Sequence, residues 1–75
     1  MDSAEEYILS FVGVLVEDLE EVKISRVNNS PAILEIRVSK RDFAYVNSKY
    51  HAIQTLAHSL TGLPDDAPII RIVEN

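Results

Sequence analysis

Few residues in this 75-residue chain have the types and spacing that chemistry needs. They are two histidines, His51 and His58, and the bases Lys40, Arg41 and Lys49 interleaved with Tyr45, Tyr50 and His51. Seven residues apart on one helix, the two histidines stand about 10 Å apart along its axis, too far to share one metal ion readily. There is no Cys and no His-Glu-x-x-His pattern, so a zinc site has no support. The acids near the start of the chain lie among other acids, which argues against a two-carboxylate centre. Ser48 and His51, close together at an expected helix start, read as cap and surface residues and not as two members of a triad. The only glycines are Gly13 and Gly62, so no glycine-rich nucleotide loop exists. We expect no enzyme, no metal and no cofactor. What remains is cation and ring: Lys40, Arg41 and Lys49 to attract phosphates, with Tyr45, Tyr50 or His51 to stack on a base.

The elements that must position these residues follow from periodicity. Ser3-Ala4-Glu5-Glu6 has the form of a capping box, and Ile8, Val12, Leu15 and Leu19 share one stripe at 100° per residue, which predicts a helix from Ser3 to near Asp18. Tyr7, Leu9 and Val14 widen its apolar arc beyond what one small sheet requires. Glu21–Arg26 alternates with period two, Asn28-Asn29-Ser30-Pro31 supplies turn residues, and Ala32–Val38 alternates again, which predicts a hairpin. In its second strand Ala32, Leu34, Ile36 and Val38 face one way, and Ile33, Glu35 and Arg37 the other.

Ser39 is placed to cap a helix from Lys40, with Asp42 in its first turn and Phe43 and Val46 as anchors. Asn47, tolerant of a left-handed backbone, and Ser48, a potential N-cap, interrupt the pattern. Either a second helix starts there or residues 40–61 form one kinked helix. Ala52, Ile53, Leu56, Ala57 and Leu60 keep core-facing spacing, and Gly62 with Pro64 is a stop signal. The β-branched run Ile69–Val73 suits a closing strand, parallel to the one at Ala32–Val38 because a helical crossover separates them. The expected fold is a single two-layer α+β domain over residues 1–75, order α-β-β-α-α-β, with a three-stranded mixed sheet and helices on one face.

Composition narrows the partners. The net charge is −5, with 7 Lys/Arg against 12 Asp/Glu, and it is unevenly spread. Residues 1–21 hold seven acids and no base, residues 22–49 six bases and two acids, and residues 50–75 one base and three acids. The middle segment, through Lys23, Arg26, Arg37, Lys40, Arg41 and Lys49, is able to form a basic face, though the same bases also suit a solvated surface opposite an acidic helix. The longest apolar run, residues 11–16, is far short of the ~20 residues of a membrane span, and the acidic start does not resemble a signal peptide. A cytoplasmic location is expected.

The element order and several residues resemble the small bacterial single-domain KH proteins, RNA binders with a type II α-β-β-α-α-β arrangement. Leu34-Glu35-Ile36-Arg37-Val38 looks like that family's central strand, and an acid at Asp42 and an apolar anchor at Val46 follow it. Asn47-Ser48-Lys49-Tyr50-His51 stands where the family places Ile-Gly-Lys-x-Gly, and Ile53 and Leu60 fall on its two apolar helix positions. The family's glycines let the loop backbone approach a sugar-phosphate chain. Here Ser48 and His51 replace them, so only Lys49 carries over and the GxxG loop is degenerate. The resemblance implies a KH-like fold and RNA binding, and the residues around the basic helix junction, Lys40, Arg41, Lys49, Tyr50 and His51, are the candidate contacts. It also implies a second KH-containing protein as a partner. The alternative is a protein-interaction module that keeps the scaffold without the nucleic-acid site, using helix one for self-association or the open sheet edge.

Overall fold

A computed structural model describes residues 3–61 and 67–75 of the chain. The elements are α1 (Ser3–Gly13), a single 3-10 turn (Leu19–Glu21), β1 (Lys23–Asn29), β2 (Ala32–Val38), α2 (Lys40–Ser48), α3 (Tyr50–Thr61) and β3 (Ile69–Glu74). This is the α-β-β-α-α-β order expected from periodicity. The sheet runs β1-β2-β3, with β1 antiparallel and β3 parallel to the central β2.

Alternation along β2 sets the two layers. Leu34, Ile36 and Val38 are fully buried against Ile8 and Val12 of α1, Val46 of α2, and Ile53 and Ala57 of α3, with Ile70 of β3 completing the core. Each buried Val, Leu or Ile side chain of this set contributes about 1.5–3 kcal/mol relative to exposure. Ile33, Glu35 and Arg37 project to the other face, as their parity requires. In β1 the register shifts between Arg26 and Asn28, so Val27 is the extra residue of a bulge and Arg26 still points to the helix side. There its guanidinium meets Glu5 of α1, Nη2 to Oε1 at 3.2 Å.

Helix one is shorter than its sequence pattern. It ends at Gly13, not near Asp18, and the backbone tightens through bonds from Val14 N to Phe11 O and Leu15 N to Val12 O, at 3.3 and 2.9 Å. Asp42 supplies the tertiary reason. Its Oδ1 accepts from Glu17 N and its Oδ2 from Asp18 N, both at 3.0 Å, so these two amides are drawn away from any helical partner. Ser39, extended at the N-cap of α2, donates its hydroxyl to the same carboxylate at 2.9 Å instead of capping a backbone amide. The wide apolar arc therefore comes apart. Leu15 and Val16 pack on the core from the linker, whereas Leu19, 61% exposed, does not join the stripe.

Residues 40–61 form two helices, not one kinked helix. Ser48 closes the first of them, its hydroxyl donating to Tyr45 O at 2.6 Å, and does not cap the second. Lys49 is the hinge: its N–H bonds back to Val46 O at 3.0 Å and its own carbonyl accepts from Ile53 N at 3.1 Å. No described non-glycine residue has positive φ, so Asn47 does not use the left-handed backbone available to it. Ala52 is exposed despite its spacing. The Gly62-Pro64 stop signal lies outside the described residues. No described helix is long and apolar enough to cross a membrane.

Candidate nucleic-acid interface

Helix α2 carries most of the basic side chains singled out in the sequence, and its geometry sorts them. Lys40 and Arg41 stand in its first turn and Lys49 just past its last, roughly 12–14 Å apart along the axis at 1.5 Å per residue. The three do not surround one junction. Arg41, Tyr45 and Lys49 instead follow i, i+4, i+8 spacing and share one exposed stripe. The Lys49 ammonium lies 5.4 Å from the centre of the Tyr45 ring, within cation–π range, and the ring is 53% exposed.

Arg41 is already engaged. Its Nη2 is 2.6 Å from Glu17 Oε2 and its Nε 3.3 Å from Asp18 Oδ2, in the linker that Asp42 holds against the start of α2. A shallow cleft lined by Leu15, Glu17, Arg41, Asp42 and Tyr45 lies beside this pair. The two linker amides hold the Asp42 carboxyl below the usual carboxylate range, Ser39 and Arg41 adding to the effect against the opposing influence of burial. An ionised Asp42 thus ties linker to helix, while the linker's own acids neutralise the nearest candidate cation.

The α2–α3 junction contributes the other candidates. Tyr50 is half-buried on the core and its hydroxyl donates to Gln54 Oε1 at 3.3 Å. The exposed His51 ring packs T-shaped with the Tyr50 ring, at 5.9 Å between centroids. Lys49, Tyr50 and His51 are therefore neighbours, as their adjacency in sequence requires, whereas Lys40 and Arg41 belong to the opposite end of α2. Tyr45 links the two ends. Helical spacing alone carries the signal for that stripe, once residues 40–48 are known to be helical.

The other bases of the middle segment are elsewhere. Arg26 faces α1, while Lys23 and Arg37 lie on the solvent side of the sheet as cross-strand partners. Among the described residues, no group of three His, Cys, Asp or Glu side chains is placed to hold a metal ion. In comparisons with known proteins, no family model, no curated protein and no solved structure matches the chain.

Proposed function

We propose that this chain is a KH-like module that binds single-stranded RNA weakly along the exposed face of α2 and the α2–α3 junction. The observation that carries this reading is the stripe in which an exposed Tyr45 ring stands between Arg41 and Lys49, with Lys49 5.4 Å from the ring. Phosphates attracted by Lys49, with Lys40 farther along, would leave a base free to stack on Tyr45 or His51. No glycine lies in the junction, so no backbone clamp of the KH type operates there. Affinity then rests on side chains alone, and it is low.

The test is fluorescence anisotropy of a labelled, unstructured RNA pool at about 50 and 200 mM salt. One to two phosphate contacts on a single strand give roughly a 3- to 7-fold loss of affinity over that range. Lys49→Ala should weaken binding at low salt and flatten the salt dependence, and an unchanged dissociation constant would remove Lys49 from the site. The pairing of Arg41 with Glu17 and Asp18 favours a second reading, a protein-interaction module on the same scaffold. No binding at 50 mM salt would select it.

A further inference from the structure

The solvent face of the sheet is a surface that the α2 site leaves unused. Pairing places Lys23 of β1 opposite Arg37 of β2, Glu35 opposite Arg71 of β3, and Ile33 opposite Ile69, all projecting away from the helices. With neighbouring strands about 4.8 Å apart, the four charged side chains fit in a patch roughly 10 Å across. Glu35 sits at its centre, its side chain only 13% exposed, with Arg37 Nε at 3.1 Å and Arg71 Nη1 at 3.8 Å. One carboxylate is thus shared between two guanidiniums and the face stays cationic, in a chain whose net charge is −5. Ile33, Val73 and a half-exposed Ile69 provide an aliphatic border.

The chemistry of this face narrows its occupant. No aromatic side chain projects from it, so bases find no stacking platform. A second sheet face of the same kind would be repelled. Among the described residues, the 3-10 turn Leu19-Glu20-Glu21 presents complementary chemistry, a leucine beside two acids. Leu19 is largely exposed there, and Glu20 and Glu21 are exposed with no ion pair among the described residues. Asn75 holds the turn in place, its Nδ2 donating to Glu21 O at 3.0 Å. The turn runs directly into β1 and so cannot fold back over its own sheet face.

We infer that the Lys23, Arg37 and Arg71 face of one copy binds the Leu19–Glu21 turn of a second copy, the leucine against Ile33 and Ile69 and the two glutamates among the cations. The contact joins two different patches, which makes it heterologous. Its small area places it among weak, transient interfaces.

Sedimentation of the full chain from about 20 µM to about 1 mM tests this, in a range suited to weak contacts. At about 50 mM salt the average mass should rise with concentration, and at about 500 mM, where screening acts within a few ångströms, it should stay monomeric. Two double variants carry the charge test, Lys23→Glu with Arg71→Gln and Glu20→Lys with Glu21→Lys. All four positions are exposed, and a melting curve confirms that each variant folds. Each should self-associate roughly tenfold more weakly than the parent, and mixing the two should restore association. A parent that remains monomeric at low salt overturns the inference, as does self-association unmoved by either double variant. RNA binding abolished by the Lys23/Arg71 variant but kept by Lys49→Ala would assign the face to nucleic acid, which overturns it too.

Discussion

Gln54 joins α3 to the start of β3, and replacing it tests how the closing strand is held. Its Nε2 donates to Pro68 O at 2.8 Å, and its Oε1 accepts from Ile70 N at 3.1 Å and from the Tyr50 hydroxyl at 3.3 Å. A backbone N–H must donate and a carbonyl must accept, so the orientation of the amide is fixed by its partners. Gln54→Ala removes two bonds to backbone and leaves the amide of the buried Ile70 without its partner. At about 1 kcal/mol net per bond, and more for a stranded buried donor, the loss is about 2–3 kcal/mol. For a chain of this length that lowers Tm by roughly 10–20 °C.

Gln54→Glu sharpens the test through pH. An ionised carboxylate opposes the Pro68 carbonyl, whereas a protonated one restores the donor, so the folded state raises the pKa of the new side chain. A folded protein that binds the proton more tightly than the unfolded chain is destabilised as pH rises through the interval between the two pKa values. Relative to the parent, the Glu variant should therefore regain stability as pH falls toward about 4. Thermal melts from pH 4 to 8 and amide exchange at Ile70 provide the readout. A drop in Tm below about 4 °C for Gln54→Ala, with unchanged exchange at Ile70, would refute the reasoning, because ~1 kcal/mol is then the most the network contributes.

Two further perturbations follow from the same geometry. The depressed Asp42 pKa stabilises the fold fully above the ordinary carboxylate value of 3.8 and progressively less as pH falls below it, since protonation weakens the acceptors for Glu17 N and Asp18 N. Those two amides should lose exchange protection on acidification before the sheet amides do, and Asp42→Ala should unprotect them at neutral pH; protection that persists in the variant would place the linker's anchor elsewhere. Ile36→Ala, in the fully buried centre of β2, should cost about 2–5 kcal/mol in chemical denaturation, with the spread set by how far the core collapses into the cavity. A loss under about 1 kcal/mol would mean that the β2 face is not the core.

Much of this fold is legible in one dimension. Period-two alternation fixes β2 to the residue and assigns Leu34, Ile36 and Val38 to the core, because only one pleat face meets the helices. The position of Ser39, the anchor at Val46 and the stripe of Ile53 and Ala57 place α2 and α3 in the same way. The α2–α3 candidates Lys49, Tyr50 and His51 are adjacent in sequence and stay together for that reason alone.

Residues distant in sequence were decided by the tertiary structure. The apolar pattern of helix one continues past Gly13, yet the helix stops there while an Asp 24 and 25 positions downstream of Asp18 and Glu17 accepts their amide hydrogens. Periodicity records which side chains are apolar and is silent about where a carboxylate will find donors. The partners of the basic residues are decided at the same level: Arg41 is neutralised by Glu17 and Asp18, Arg26 by Glu5, and Arg37 and Arg71 share Glu35. Charge is a property of the sequence, but the field at a surface depends on which charges the fold brings within a few ångströms. The sequence by itself determined the elements and their inward faces, through local periodicity. Tertiary contact decided where helix one ends and which cations remain available to a partner.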